Sequence, residues 1–102
     1  MSESIIHNQI FSKRLKEVRL MMGFSQKKLG ILAGIDEFVA STRINRYEKG
    51  VHQANIEIVQ KLATVLEVPL AYFYTDDDEL ASLLRSWPKL GYVKKKKILS
   101  LL

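Results

Sequence analysis

The stretch SQKKLGILAGIDEFVASTRINRYEKG, from Ser25 to Gly50, constrains the fold of this chain more than any other. Ser25 belongs to the residue types that cap helix N-termini, and Leu29, Leu32 and Ala33 have the three- and four-residue spacing of a buried helical stripe. Gly34 can adopt the left-handed backbone conformation that ends such a helix. We therefore predict a short helix that starts after Ser25, stops at Gly34 and is followed by a turn.

A second helix is predicted to run from this turn to about Lys49. Ile44 and Tyr47 share one of its faces and are expected to pack inward. Four polar or basic residues fall on another face: Thr42, Asn45, Arg46 and Lys49. Gly30, inside the first helix, costs about 1 kcal/mol relative to alanine, and close approach of the second helix would compensate for that cost. Two such helices outline a helix-turn-helix unit, whose second helix can enter a DNA major groove.

Helices on either side are expected to complete the core. Residues 10–22 carry helical apolar periodicity, whereas residues 1–9 are predicted to form a short arm or a frayed extra turn. Asn55 can cap a fourth helix with a buried stripe of Ile56, Val59, Leu62, Ala63 and Leu66. Pro69 suits the first turn of a short fifth helix, PLAYFY. The side chains expected to close the core there are Leu70, Phe73 and either Tyr72 or Tyr74.

The segment after Thr75 is predicted to be a helical extension. Residues 76–79 are acidic and suit the N-terminus of a sixth helix; they lack the spaced oxygen ligands and the turn glycine of a calcium loop. One apolar stripe follows: Leu80, Leu83, Leu84 and Trp87. Pro88 and Gly91 interrupt the helix. The tail VKKKKILSLL is too short to form a stable helix alone in water, so it must pack on its own domain or on another chain, or remain disordered.

Composition excludes several classes of function. A chain of 102 residues without cysteine has no disulfide framework, thiol nucleophile or thiolate metal site. His7 and His52 lie far apart, and no motif pairs a nucleophile with a base, so we expect no metal, no cofactor and no catalysis. No apolar run reaches the roughly 20 residues of a membrane span, and the N-terminus lacks the features of a signal peptide. These features favour a cytoplasmic protein that does not bind membranes.

Charge is distributed unevenly along the chain, whose net charge is +5. Residues 12–52 contain nine basic and four acidic side chains, whereas residues 53–88 contain two basic and six acidic ones. The first part therefore suits a phosphate backbone, and the second suits solvent or a partner.

Three segments resemble the Cro/lambda-repressor-like (XRE-type) helix-turn-helix family of bacterial and phage regulators: RLKEVRLMMGFSQKKLG, RINRYEKG and KLATVLEVPLAYFY. The resemblance covers about residues 11–74 and implies an all-α fold with a five-helix DNA-binding domain, which we place at residues 1–75. Residues 76–102 lie beyond it and form the predicted helical extension. It also implies which residues meet DNA. The implied base-reading positions are Ser41, Thr42, Asn45 and Arg46, with Arg43 left as base or phosphate contact. The implied phosphate-binding positions are Gln26, Lys27, Lys49 and His52.

The chain departs from the family pattern between Ile35 and Ile44, where it has about four additional residues. Residues 36–40 could lengthen the turn, or they could extend the second helix at its N-terminus. The two options place Ser41 and Thr42 in different registers against DNA. Arg46 is less affected, because the RYEKG ending follows it without interruption.

The resemblance implies a sequence-specific transcriptional regulator, a repressor, that binds an inverted-repeat operator in double-stranded DNA as a homodimer. We expect the dimer interface in the extension, at Leu80, Leu83, Leu84 and Trp87. The alternative for this segment is that it folds back on its own core. An alternative function is that of an antitoxin-type regulator, which would also bind a toxin protein through the extension.

Overall fold

The computed structural model describes the backbone of residues 3–102 and the side chains of residues 9–102. Every regular element in this part of the chain is helical, so the predicted all-α fold is confirmed. The α-helices are α1 (Glu3–Met22), α2 (Gln26–Leu32), α3 (Ala40–Glu48), α4 (Ile56–Leu66), α5 (Asp78–Ser86) and α6 (Tyr92–Ser100). Two 3₁₀ helices lie at Leu70–Tyr74 and Trp87–Lys89.

α1 is longer than the sequence pattern indicates. It begins at Glu3, so the prediction of an arm or a frayed turn is wrong for residues 3–9; residues 1 and 2 lie outside the described residues. The helix ends as predicted at Gly23, whose φ of 74° is left-handed, and the amide of Phe24 donates to the Arg19 carbonyl at 3.1 Å. Only residues 23–25 then separate α1 from α2.

The core lies where α1, α2, α3, α4 and the first 3₁₀ helix meet. Its largest apolar members are fully buried: Leu15, Leu29, Ile44, Leu62, Leu66, Tyr72 and Phe73. Burial of one such side chain stabilises the fold by about 1.5–3 kcal/mol. Asn55 caps α4 as predicted, because its side chain accepts the Ile58 amide at 2.9 Å. Ile56 is 48% exposed, however, so its assignment to the buried stripe is wrong; it lies at the first position of α4, beyond the edge of the packed face.

The fifth helix is a 3₁₀ helix that begins after Pro69, which takes an extended conformation and therefore precedes the helix instead of occupying its first turn. Of the two tyrosines left open as core residues, Tyr72 is fully buried. Tyr74 is 46% exposed, although its ring stacks on Phe11 at a centroid distance of 6.5 Å. This short helix closes the core under α1.

α5 packs on the core and α6 does not. Ala81 of α5 is fully buried and Leu84 packs partly against the core cluster, whereas α6 has no buried residue. Asp77 caps α5 by accepting the amides of Glu79 and Leu80 at 2.9 and 3.1 Å, which agrees with the capping interpretation of the acidic cluster. The part of the extension that folds back on its own core is therefore α5.

Candidate nucleic-acid interface

The candidate interface consists of α2 and α3. These two helices can approach each other closely because residue 30 is a glycine and has no side chain at the contact. A β-carbon placed on Gly30 would lie 2.7 Å from the β-carbon of Ala40 and 3.0 Å from its carbonyl oxygen. Only glycine allows this approach, so the predicted compensation for Gly30 is confirmed. Ser25 caps α2 through the Lys28 amide at 2.9 Å, and Gly34 ends it with a φ of 86°, both as predicted. Leu29 and Ala33 are buried as predicted, but Leu32 is 46% exposed, so its assignment to the buried stripe is wrong.

The additional residues between Ile35 and Ile44 lengthen the turn and do not extend α3. The Asp36 carboxylate accepts the Phe38 amide at 2.9 Å, and the Asp36 carbonyl accepts the Val39 amide at 3.1 Å. A carboxylate bonded to the backbone two residues onward competes with helix formation. α3 therefore begins at Ala40, which places Ser41 and Thr42 in its first turn.

The outward face of α3 carries most of the predicted base-reading residues. Ile44 and Tyr47 are buried on the opposite face, as predicted. The exposed residues among the base-reading candidates are Ser41, Thr42, Arg43 and Arg46, whereas Asn45 is half-buried. An exposed arginine can pair two donors with a guanine edge, and short hydroxyl and amide side chains can bond base edges directly. The arrangement is thus chemically suited to a major groove.

Gln26 braces α3 from the first turn of α2. Its side-chain amide nitrogen donates to Asn45 Oδ1 at 3.2 Å and to Glu48 Oε1 at 3.1 Å. Gln26 was predicted from the family resemblance as a phosphate contact. In this structure its side-chain nitrogen is engaged with Asn45 and Glu48 of α3, and the phosphate contact stays a prediction.

A buried ion pair joins α3 to α1 behind the same face. Arg19 Nε donates to Glu48 Oε2 at 2.6 Å and Arg19 Nη2 donates to Glu48 Oε1 at 3.0 Å. The two side chains are 10% and 3% exposed, and Arg19 also donates to the Phe24 carbonyl at 2.9 Å. Sequence reasoning missed this pair, because its partners are 29 residues apart and both types are ordinary on exposed helical surfaces.

The remaining phosphate candidates lie in α2 and at or just after the C-terminal end of α3. Lys27, Lys49 and His52 are all exposed. An open depression of about 680 Å³ lies beside α3 and is lined by Val39, Thr42, Arg43, Arg46, Tyr47, Val51, His52 and Gln53. Arg43 and His52 thus border one concave surface together with Arg46.

The predicted dimer residues differ in their exposure, and their role in an interface stays a prediction. Leu80 and Leu83 are 43% and 41% exposed, while Leu84 packs partly against this chain's own core. Trp87 is half-buried, and the Lys95 ammonium lies 5.4 Å from the centre of its ring. Leu80 and Leu83 are the most exposed members of the set.

No helix among the described residues is long and apolar enough to cross a membrane. In the same part of the chain, no group of three or more His, Cys, Asp or Glu side chains could hold a metal ion.

A helix-turn-helix family model matches residues 15–73, more than half of the chain. The protein therefore belongs to the helix-turn-helix family, of the XRE type that the sequence resemblance indicates. Members of this family are DNA-binding transcriptional regulators and not enzymes. The predicted family is thus confirmed.

Individual relatives carry names of the same kind. An uncharacterised HTH-type transcriptional regulator of Sinorhizobium medicae is 35% identical over 63 residues, which cover 62% of this chain and 42% of that protein. A similarly named regulator of Rhizobium meliloti matches to the same extent. This chain thus spans 42% of the length of both relatives.

Two further relatives match over most of the chain. The cryptic phage CTXphi transcriptional repressor RstR of Vibrio cholerae is 28% identical over 100 residues, covering 91% of this chain and 85% of that protein. The crystal structure of the transcriptional regulator BswR superposes with a TM-score of 0.83 at 44% identity, covering 88% of this chain and 89% of that one. The likeness to BswR therefore includes most of the C-terminal extension.

Proposed function

We propose that this protein is a sequence-specific transcriptional repressor that binds an inverted-repeat operator in duplex DNA as a homodimer. The observation that carries the proposal is the outward face of α3, where exposed polar and basic side chains stand on a helix anchored to both α1 and α2. A rigid reader loses little conformational freedom when it binds. The repressor role is supported by the name of the Vibrio cholerae relative.

Selection of bound duplexes from a random-sequence pool tests the proposal directly. We expect an enriched motif with two-fold symmetry and half-sites about one helical turn apart, near 34 Å. A pool without any enriched motif would contradict specific recognition. An enriched motif without symmetry would contradict the dimer and leave recognition by one copy intact.

Arg46 is proposed to read a guanine. Arg46→Ala should lower affinity for the selected operator far more than for random DNA, because a bidentate arginine–guanine contact contributes about 1–3 kcal/mol of base discrimination. Equal losses on operator and random DNA would show that Arg46 contacts only phosphate.

Lys49 is proposed to bind phosphate. Lys49→Ala should weaken binding to all sequences and reduce the slope of log affinity against log salt by about one unit. Lys89→Ala is the matched control, because this exposed lysine lies in the 3₁₀ helix after α5 and should leave the slope unchanged. A changed base preference with an unchanged slope for Lys49→Ala would overturn the assignment.

The dimer is proposed to form through the exposed leucines of α5. Leu80→Glu with Leu83→Glu should yield a monomer in sedimentation at micromolar concentration, because a carboxylate cannot be buried in an apolar interface without a partner. Leu20→Glu is the control, since this α1 residue is 58% exposed. A dimer that persists in the double variant would place the interface elsewhere.

The toxin-binding alternative stays a prediction.

A further inference from the structure

Phe38 is the most exposed aromatic side chain among residues 9–102, at 87%. It lies in the lengthened turn between α2 and α3, and its neighbour Val39 is also 43% exposed. Single exposed apolar residues are common on proteins. Phe38 differs from an ordinary case in its position, directly before the helix that carries the candidate DNA-reading face.

The turn that carries Phe38 is defined by hydrogen bonds at both ends. The Phe38 amide donates to the Asp36 carboxylate at 2.9 Å, and the Arg43 amide donates to the Val39 carbonyl at 2.9 Å. Ala40, two residues later, is fully buried against Gly30. These contacts fix the position of the Phe38 backbone relative to α3.

This place is the N-terminal end of the recognition helix. Phe38 lies two residues before α3 begins at Ala40, so it stands next to the first turn of the helix, which carries Ser41 and Thr42. In helix-turn-helix readers the N-terminal residues of the second helix contact base edges in the major groove. An exposed side chain at this end of α3 is close enough to contact base pairs beside those that face Ser41.

The side chains of the turn indicate which part of the DNA Phe38 would contact. Asp36 and Glu37 place two exposed carboxylates beside Phe38, and these disfavour close approach of a phosphate. The phenyl ring has no donor or acceptor, and the apolar group that bases present in the major groove is the C5-methyl of thymine. Insertion between base steps is a minor-groove device and does not fit a helix in the major groove.

We propose that Phe38 is a specificity residue that contacts the C5-methyl group of a thymine beside the base pairs facing Ser41. This inference rests on the proposed DNA-binding function. It also gives the lengthened turn a function, because residues 36–39 present an apolar side chain to the bases. A turn with the compact family spacing would lack these residues.

Replacing thymine by uracil removes only the methyl group and tests the contact. Each thymine of the selected operator is replaced in turn, and affinity is measured by fluorescence anisotropy with wild type and Phe38→Ala. We expect one position per half-site at which uracil weakens wild-type binding about fourfold, the effect of one buried methyl group. Phe38→Ala should bind the thymine operator more weakly than wild type and show no further loss at that position.

Met21→Ala is the matched control, because Met21 is 60% exposed and lies beside Leu66 and Arg85, away from α3. It should retain the wild-type response to uracil. Thermal unfolding of Phe38→Ala should match wild type, since so exposed a ring contributes little to the fold.

The outcomes separate this inference from the proposed function. If wild type enriches no sequence, DNA recognition itself fails and the inference falls with it. If a motif is enriched but wild type and Phe38→Ala respond equally to uracil at every thymine, the Phe38 contact alone is overturned. A Phe38→Ala variant that binds DNA normally but sediments differently would also overturn it, because the ring would then contact a second copy.

Discussion

The two sides of α1 hold their neighbours in different ways. On the recognition side, Arg19 and Glu48 form an ion pair with side chains 10% and 3% exposed. On the C-terminal side, Glu17 accepts from Tyr72 at 2.6 Å and pairs with Arg14 and Arg85, while Asp78 of α5 is 71% exposed in its pairs with Lys13 and Arg14. α3 is therefore held to α1 by a buried ion pair, whereas α5 is held partly by exposed ion pairs that water and salt can screen.

The C-terminal side of α1 contains a cluster of groups with shifted pKa values, Glu17, Tyr72 and Asp78, which we call the C-terminal cluster. Burial by itself raises the pKa of Glu17, but hydrogen bonds from Tyr72 and Arg14, with the charge of Arg85, lower it overall. Burial and the hydrogen bond to Glu17 raise the pKa of Tyr72 to about 12. Hydrogen bonds from Lys13 and Arg14 lower the pKa of Asp78. Attachment of α5 thus depends on groups that titrate, which makes this side sensitive to pH.

The largest expected effect comes from removing the buried arginine. Arg19→Met leaves the Glu48 carboxylate buried without its charge partner and should lower the free energy of unfolding by about 3–5 kcal/mol in urea denaturation. The double variant Arg19→Met with Glu48→Leu is the control and should recover much of the loss. An equal loss in both variants would mean that side-chain packing, and not charge, holds α3 on this side.

A smaller loss is expected from filling the contact between α2 and α3. Gly30→Ala should lower the free energy of unfolding by about 1–3 kcal/mol, because its β-carbon meets the backbone of Ala40 and one of the helices must move. Gly91→Ala is the matched control, since no atom lies within 4 Å of a β-carbon placed there. A stabilised Gly30→Ala protein would show that helix propensity outweighs the close approach.

The contribution of the C-terminal cluster to the free energy of unfolding should depend on pH. Because the pKa of Glu17 is lowered in the folded state from 4.5, its contribution is fully present above about pH 4.5 and is lost as pH falls through the folded value. The stability advantage of wild type over Glu17→Gln should therefore shrink on acidification, as measured by urea denaturation at several pH values. Asp78 titrates in both proteins, so its effect cancels in the difference. A difference that is constant with pH would contradict the role of the charge.

The smallest effect is expected from α6. A chain that ends at Leu90 should keep the unfolding free energy of the wild-type monomer within about 0.5 kcal/mol, because α6 buries no side chain of its own. The comparison uses dilute protein, so that dimer formation does not contribute. A chain that ends at Asp76 is the contrasting variant, since it also loses the fully buried Ala81 and should be clearly less stable. A large loss on removal of α6 alone would show that α6 packs on the core in solution.

The sequence by itself determined the features that depend on near neighbours. The caps at Ser25 and Asn55 and the left-handed stop at Gly34 each involve groups within a few residues, so the residue type is sufficient to predict them. The inward faces of α3 and α4 were predictable for the same reason, because helical spacing alone places Ile44 with Tyr47 and Val59 with Leu62.

Tertiary structure decided what near neighbours leave open. The pairing of Arg19 with Glu48 spans 29 residues, and nothing local distinguishes either residue from a solvated one. Residues 36–39 could equally have extended α3; the contact of Ala40 with Gly30 and the Asp36 hydrogen bonds set the start of the helix, and with it the exposure of Phe38. Such choices depend on which surfaces meet after the chain has folded, because a residue's partner across the core is fixed by packing and not by its spacing along the chain.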